Sequence, residues 1–124
     1  MTEYVTIDEA LRIHEVLIEE FGGARGVRDL GLLESALNRP QTGYYSGVIE
    51  EAAALWESLA MNHPFVDGNK RAAYAVTELF LQLSGTDIRP DNKAIETFIY
   101  SHLEAGTFNK DVLNAWLRAN TEPL

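Results

Sequence analysis

The sequence predicts an all-α domain of about six helices. Apolar residues recur at three- and four-residue spacing in six separate stretches. Cap-forming residues or glycine and proline mark where those stretches start and stop.

The first helix starts at Thr6, whose hydroxyl can cap it while Glu9 reaches back. Ile7, Ala10, Leu11, Leu17, Ile18 and Phe21 then form its inward stripe, and Gly22–Gly23 stop it. Asp29 to Asn38 gives a shorter helix with Leu30, Leu33 and Leu37 inward, ended by Pro40. Residues 41–47, QTGYYSG, read as loop or a brief hairpin. Val48, Ala52, Leu55, Trp56 and Leu59 mark a third helix, which Pro64 closes at His63. A fourth opens near Asn69 and runs through Ala72, Val76, Leu79, Phe80 and Leu83 to Gly85. Two more follow, Asp91 to Ala105 with Ile95, Phe98, Ile99 and Leu103 inward, and Asn109 to Asn120 with Val112, Leu113, Trp116 and Leu117.

A chain of 124 residues is expected to form one domain, spanning 1–124. That length can bury roughly two thirds of the unfolded surface, so the core needs no staples. There is no cysteine, hence no disulfide and no thiolate metal site, which fits a reducing compartment. The opening MTEYVTIDEA has acids and no apolar run, unlike a signal peptide, and no 18-residue apolar stretch could span a membrane. The expected location is cytoplasmic. Net charge is −9, with ten Lys and Arg scattered among nineteen acids. Direct nucleic-acid binding is not expected, because phosphate neutralisation needs a basic stripe. Only Lys70–Arg71 sets two cations side by side, a socket suited to one small anion.

That pair closes the stretch HPFVDGNKR, residues 63–71, at the bend between the third and fourth helices. His63 lies at the exposed carbonyls of a helix end, and a histidine at such a position suits a proton acceptor. Gly68 and Asn69 tolerate a backbone turn with positive φ. The free N–H groups of the next helix then form an anion site, over which Lys70 and Arg71 place positive charge. Asp67 beside phosphate oxygens is the kind of carboxylate that holds Mg²⁺. Base, metal carboxylate, amide cradle and cationic clamp are the parts that phosphoryl-transfer sites repeat. Taken singly, each residue is better explained as part of a helix–helix connector. Six of these letters at set spacing, however, arise by chance on the order of 10⁻⁸ per start position.

HPFVDGNKR resembles the signature of the Fic/Doc superfamily, HPFx[D/E]GN followed by Gly or Lys and then Arg. RDLGLLESALNRP and AAALWESLAMN are similar to the death-on-curing (Doc) toxins within it, so the resemblance covers essentially the whole chain. It implies a helical fold with the motif bridging two central helices. His63 would be the general base that deprotonates a target hydroxyl, and Asp67 would hold Mg²⁺ bound to ATP. Phe65 would anchor the loop, Gly68 and Asn69 would shape the anion hole, and Lys70 and Arg71 would meet phosphates. Most Fic proteins carry Gly at the position of Lys70 and transfer AMP. A lysine there goes with the Doc pattern, an inverted nucleotide and transfer of the γ-phosphate to a hydroxyl of a translation factor, elongation factor Tu, arresting translation. The implied partner is a small Phd-like antitoxin. An adenylyltransferase and a catalytically idle, antitoxin-binding module are the alternative readings.

Other residues attract notice. His14 lies on the apolar stripe of the first helix and reads as a packed core histidine, with the rim of the motif pocket as the alternative. His102 reads as a favourable cation at a helix C-terminus. Tyr44 and Tyr45 either rest on the core or belong to a target-docking flap. Ser46 and Glu50 have the spacing of the superfamily's self-inhibitory motif, but Glu51 stands where Gly or Asn is expected, which favours control in trans.

Overall fold

A computed structural model describes residues 2–124. They form six α-helices in chain order: α1 (Ile7–Phe21), α2 (Leu30–Asn38), α3 (Val48–Asn62), α4 (Asn69–Leu83), α5 (Asn92–Ala105) and α6 (Lys110–Asn120). The caps are those the sequence implies. Thr6 accepts from the Glu9 N–H at 3.2 Å while its own N–H donates to Glu9 Oε1 at 2.9 Å, closing a capping box. Asp29, Asp91 and Asn109 each accept from the third residue onward, a contribution of about 1 kcal/mol apiece. Helices α3 and α4 differ, since they begin on Gly47 and Gly68 and have no side-chain cap.

Helix α3 is the axis of the bundle. The run Ala52 to Trp56 is buried on every face, which only a helix surrounded by others can sustain. Its alanines let neighbouring helices approach, while Trp56 fills the centre edge-on to Tyr74, Phe108 and Trp116. Phe65, Phe80, Leu113 and Leu117 are among the other fully buried side chains. Among the described residues no helix is long and apolar enough to cross a membrane.

Two inward placements, those of Leu30 and Phe21, need correction, and the structure adds two features. Of the two readings of residues 41–47 the loop holds and the hairpin does not: a 3₁₀ turn, Arg39–Thr42, continues from α2 and is followed by Gly43 at φ 86°. Pro40 therefore sits buried at the start of that turn, where its missing N–H costs nothing. Leu30 is 49% exposed and Phe21 53% exposed, although both lie on apolar stripes. Each is a terminal residue of its helix, where the stripe runs past the packed neighbours. Two strands that periodicity does not announce, β1 (Thr86–Ile88) and β2 (Thr121–Pro123), pair antiparallel and tie the end of α6 to the α4–α5 connection. Three residues are too few to display alternation.

Candidate active site

The bend between α3 and α4 is built from backbone outward. His63 ends α3 in the left-handed region, φ 50° and ψ 59°, as the only non-glycine residue with positive φ among those described. That geometry costs about 1–3 kcal/mol and persists where neighbours impose it. Here the neighbours lie between α1 and α2. Arg28 Nε donates to the His63 carbonyl and Nη2 to the Asn62 carbonyl, both at 2.7 Å. The Arg28 and Asp29 N–H groups donate to the Pro64 carbonyl at 2.8 and 3.0 Å. The carbonyls expected to be open at this helix end are thus covered by a cation. The Val66 N–H donates to the Gly26 carbonyl at 3.0 Å, and a bridge pairs Val27 with Phe65. Residues 22–29 form a strap along the motif.

Inside the bend, the buried Phe65 ring stacks on His14, centroids 3.9 Å apart and planes 4° from parallel. His14 Nε2 donates to the Asp67 carbonyl at 2.8 Å, so that nitrogen carries the hydrogen. His14 is therefore the packed core histidine of the two readings, and it holds the motif from below. Asn69 uses both ends of its amide on Phe65: Oδ1 accepts from the N–H at 2.9 Å and Nδ2 donates to the carbonyl at 3.0 Å. Its side chain closes the loop, and its backbone N–H has no partner among the described residues. Gly68 turns at φ 74°, where a Cβ would approach Ile18 Cδ1 at 3.2 Å. Asp67 Oδ2 accepts from the Ala24 N–H at 3.1 Å and Oδ1 from the Gly68 N–H at 2.9 Å. These two backbone donors, Ala24 first, hold its carboxyl below the usual aspartate range.

What remains uncommitted faces one cleft of about 710 Å³. The His63 ring is exposed and makes no hydrogen bond among the described residues. The N–H groups of Asn69, Lys70 and Arg71 open α4 without a side-chain cap. Leu17 and Phe21 of α1 form one wall, and Ile95, Glu96, Ile99 and Tyr100 of α5 the other. The Lys70 ammonium lies over the Tyr100 ring at 4.8 Å and the Arg71 guanidinium over Phe21 at 4.3 Å. Farther along α4, the Tyr74 hydroxyl donates to Glu78 Oε2 at 3.3 Å, and burial, with Glu78 beside it, raises its pKa strongly. An anion seated on the amides would thus lie between two movable cations and beside an unencumbered imidazole.

Asp67 fits a magnesium ion of a particular kind. Each of its oxygens accepts one N–H, which leaves outward lone pairs on an exposed carboxylate. No cluster of three or more potential ligands exists among the described residues, so the protein offers no all-protein cage. One carboxylate, substrate phosphates and water are the usual company of Mg²⁺.

All six motif residues singled out, His63, Asp67, Gly68, Asn69, Lys70 and Arg71, line this cleft. Other candidates lie apart from it. His102 Nδ1 pairs with Thr107 Oγ1 at 2.7 Å beyond the end of α5. Tyr45 accepts from Arg39 Nε at 2.8 Å, and Tyr44 points outward at 85% exposure. Glu50 accepts from the Ser46 N–H at 3.4 Å, and no carboxylate pairs with Arg71 among the described residues. Sequence reasoning missed the Arg28 grip, the Ala24 donor to Asp67 and the aromatic walls Phe21 and Tyr100. Leu17 and Phe21, four apart on one stripe, carried the only local sign, since a stripe that outruns its helix's packing can line a cleft.

The helical bundle thus sets an exposed histidine beside the uncapped first amides of α4. The chain belongs to the Fic/DOC family, whose sequence pattern matches residues 4–81, from the segment before α1 almost to the end of α4. It is 42% identical over 96 residues to Toxin Doc of Mycolicibacterium smegmatis (strain ATCC 700084 / mc(2)155), covering 73% of this chain and 72% of the relative. It is 28% identical over 89 residues to Protein kinase doc of Escherichia phage P1, covering 68% and 71% respectively.

Proposed function

We propose that this protein is a Doc-type toxin acting as a protein kinase. It moves the γ-phosphate of ATP to a serine or threonine hydroxyl of a translation factor, elongation factor Tu, and a Phd-like antitoxin restrains it. The observation that carries the reading is the division of labour at the bend: the carbonyls of Asn62, His63, Pro64, Phe65 and Asp67 are held by partners, while the His63 imidazole and three helix-start amides line the same cleft. Identity with a Doc toxin supports the toxin class, and the name of the phage relative supports kinase chemistry. Lys70 supports γ-transfer over AMP transfer, because a lysine occupies the position where AMP-transferring Fic proteins carry glycine.

In this reading His63 takes the proton of the target hydroxyl as its oxygen bonds to the γ-phosphorus. The bond from that phosphorus to the β–γ bridging oxygen breaks, and ADP leaves with the electron pair. The amides of Asn69, Lys70 and Arg71 hold phosphate oxygens in place, and the two cationic side chains offset the developing charge. Asp67 would hold Mg²⁺, which supplies further charge neutralisation when bound. Purified protein incubated with elongation factor Tu and ATP labelled at the γ or the α position tests this directly. Transfer of γ-label is expected. Transfer of α-label would make the protein an adenylyltransferase, and neither label moving would leave an antitoxin-binding module.

A further inference from the structure

We infer that Arg28, outside the motif and on the strap before α2, is a positioning residue that fixes where the His63 imidazole stands. Three facts lead there. The His63 ring accepts and donates no hydrogen bond among the described residues, so no third group orients it as a carboxylate orients the histidine of a catalytic triad. Its place in the cleft therefore follows from its backbone alone. That backbone is left-handed, a geometry histidine does not choose unaided. The carbonyls on either side of the His63 Cα, those of Asn62 and His63, are gripped by the two arms of one guanidinium at 2.7 Å each.

Planar guanidinium geometry matters here. Two donors on a rigid fork can hold two successive carbonyls that diverge at a left-handed residue, whereas an ammonium is a single point. The Arg28 backbone N–H reaches the next carbonyl, that of Pro64, so one residue spans three consecutive acceptors of the bend. Loss of the side chain removes two of these contacts and leaves the third. The strap then stays attached while His63 is free to relax toward ordinary φ, carrying its ring away from the amides of α4. Reacting groups displaced by about 1 Å can lose about a hundredfold in rate.

This inference rests on the transfer reading for its kinetic arm and stands without it for its spectroscopic arm. Arg28→Ala and Arg28→Lys are compared with wild type in both. With γ-labelled ATP, Arg28→Ala is expected to lower kcat about fiftyfold while the KM for ATP stays within about twofold, since no nucleotide-facing group changes. Arg28→Lys recovers a small part, and free guanidinium ion added to Arg28→Ala recovers about tenfold, as expected for a lost two-donor contact. In histidine-labelled protein, with the His63 signals identified by their loss in His63→Ala, Arg28→Ala shifts the backbone and ring signals of His63. Those of His14 stay in place, which shows that the motif is still folded. Unchanged His63 signals in Arg28→Ala overturn the inference. So does a kcat loss that guanidinium ion leaves untouched in a variant whose His14 signals are native. A wild type that moves no label ends the transfer reading, and the His63 signals then decide the positioning claim by themselves.

Discussion

Two connections in this bundle gather charge and aromatic rings in the same way and end up with opposite characters. Between α2 and α3, Arg39 donates to Tyr45, to the Ala54 carbonyl, to Ser58 and to Glu57 at 2.7 Å. The second oxygen of Glu57 accepts from the Lys110 N–H at 3.0 Å, and the Arg39 guanidinium and Lys110 ammonium flank the Tyr45 ring. The charged groups there meet partners, so the cluster ties α2, α3 and α6 together. Between α3 and α4 the carbonyls of the bend are held with equal care, yet the side chains of His63, Lys70 and Arg71 and the first amides of α4 have no hydrogen-bonded partner among the described residues. Charge density therefore does not distinguish a site from a staple. The distinction lies in which groups the fold leaves unpaired.

The sharpest way to break that comparison is His63→Ala. Transfer is expected to fall by about a thousandfold, the general-base contribution, while the urea midpoint stays near that of wild type because the ring is exposed. A substantial loss of stability would return His63 to the structural class. The mirror experiment is Arg39→Ala. It strands Glu57, whose side chain is 24% exposed, and should cost about 2 kcal/mol in urea unfolding. The transfer rate per folded molecule should not change. Loss of activity beyond the loss of folded protein would show that the two connections communicate.

Lys70 tests the cleft itself. Lys70→Met keeps an apolar contact with Tyr100 and removes the charge, so γ-transfer should drop about tenfold with no gain of α-transfer. Lys70→Gly should lower γ-transfer similarly, and α-label appearing in that variant alone would identify lysine bulk as the selector of nucleotide orientation.

Smaller effects sharpen the account of the strap. Gly23 and Gly26 both have left-handed φ, 117° and 109°, so alanine is strained at each by about 1–2 kcal/mol. A Cβ at Gly23 would also stand 2.7 Å from Asp67 Oδ2, whereas at Gly26 the nearest atom is Val66 Cγ2 at 3.7 Å. Gly23→Ala should be the more destabilising of the two, and the difference in urea midpoints reports the Asp67 clamp. The clamp has a pH signature as well. A carboxyl whose folded pKa is depressed adds stability that is complete above its unfolded value, about 3.9, and is lost as pH falls through the folded value. The stability gap between wild type and Asp67→Asn should therefore hold from pH 7 to about 4 and narrow below it. A gap independent of pH would mean that Ala24 and Gly68 do not favour the ionised form.

The sequence by itself determined the helices and the motif residues of the cleft. Thr6, Asp29, Asp91 and Asn109 announce helix starts because a cap acts on an N–H only three residues away. HPFVDGNKR is legible for the same reason: nine consecutive residues carry an imidazole, a carboxylate and helix-start amides. Only the tertiary structure decided what holds that loop in shape. The partners of Asn62 and His63 lie at Arg28, those of Asp67 at Ala24 and His14, and the cation rests at Phe21 and Tyr100, all distant in sequence. No periodicity or spacing encodes such pairs, because hydrogen bonds and ring contacts across tens of residues depend on how the helices pack. The exposure of Leu30 and Phe21 has the same origin. A stripe tells which face of a helix is apolar, and the neighbouring helices tell how far along that face is covered.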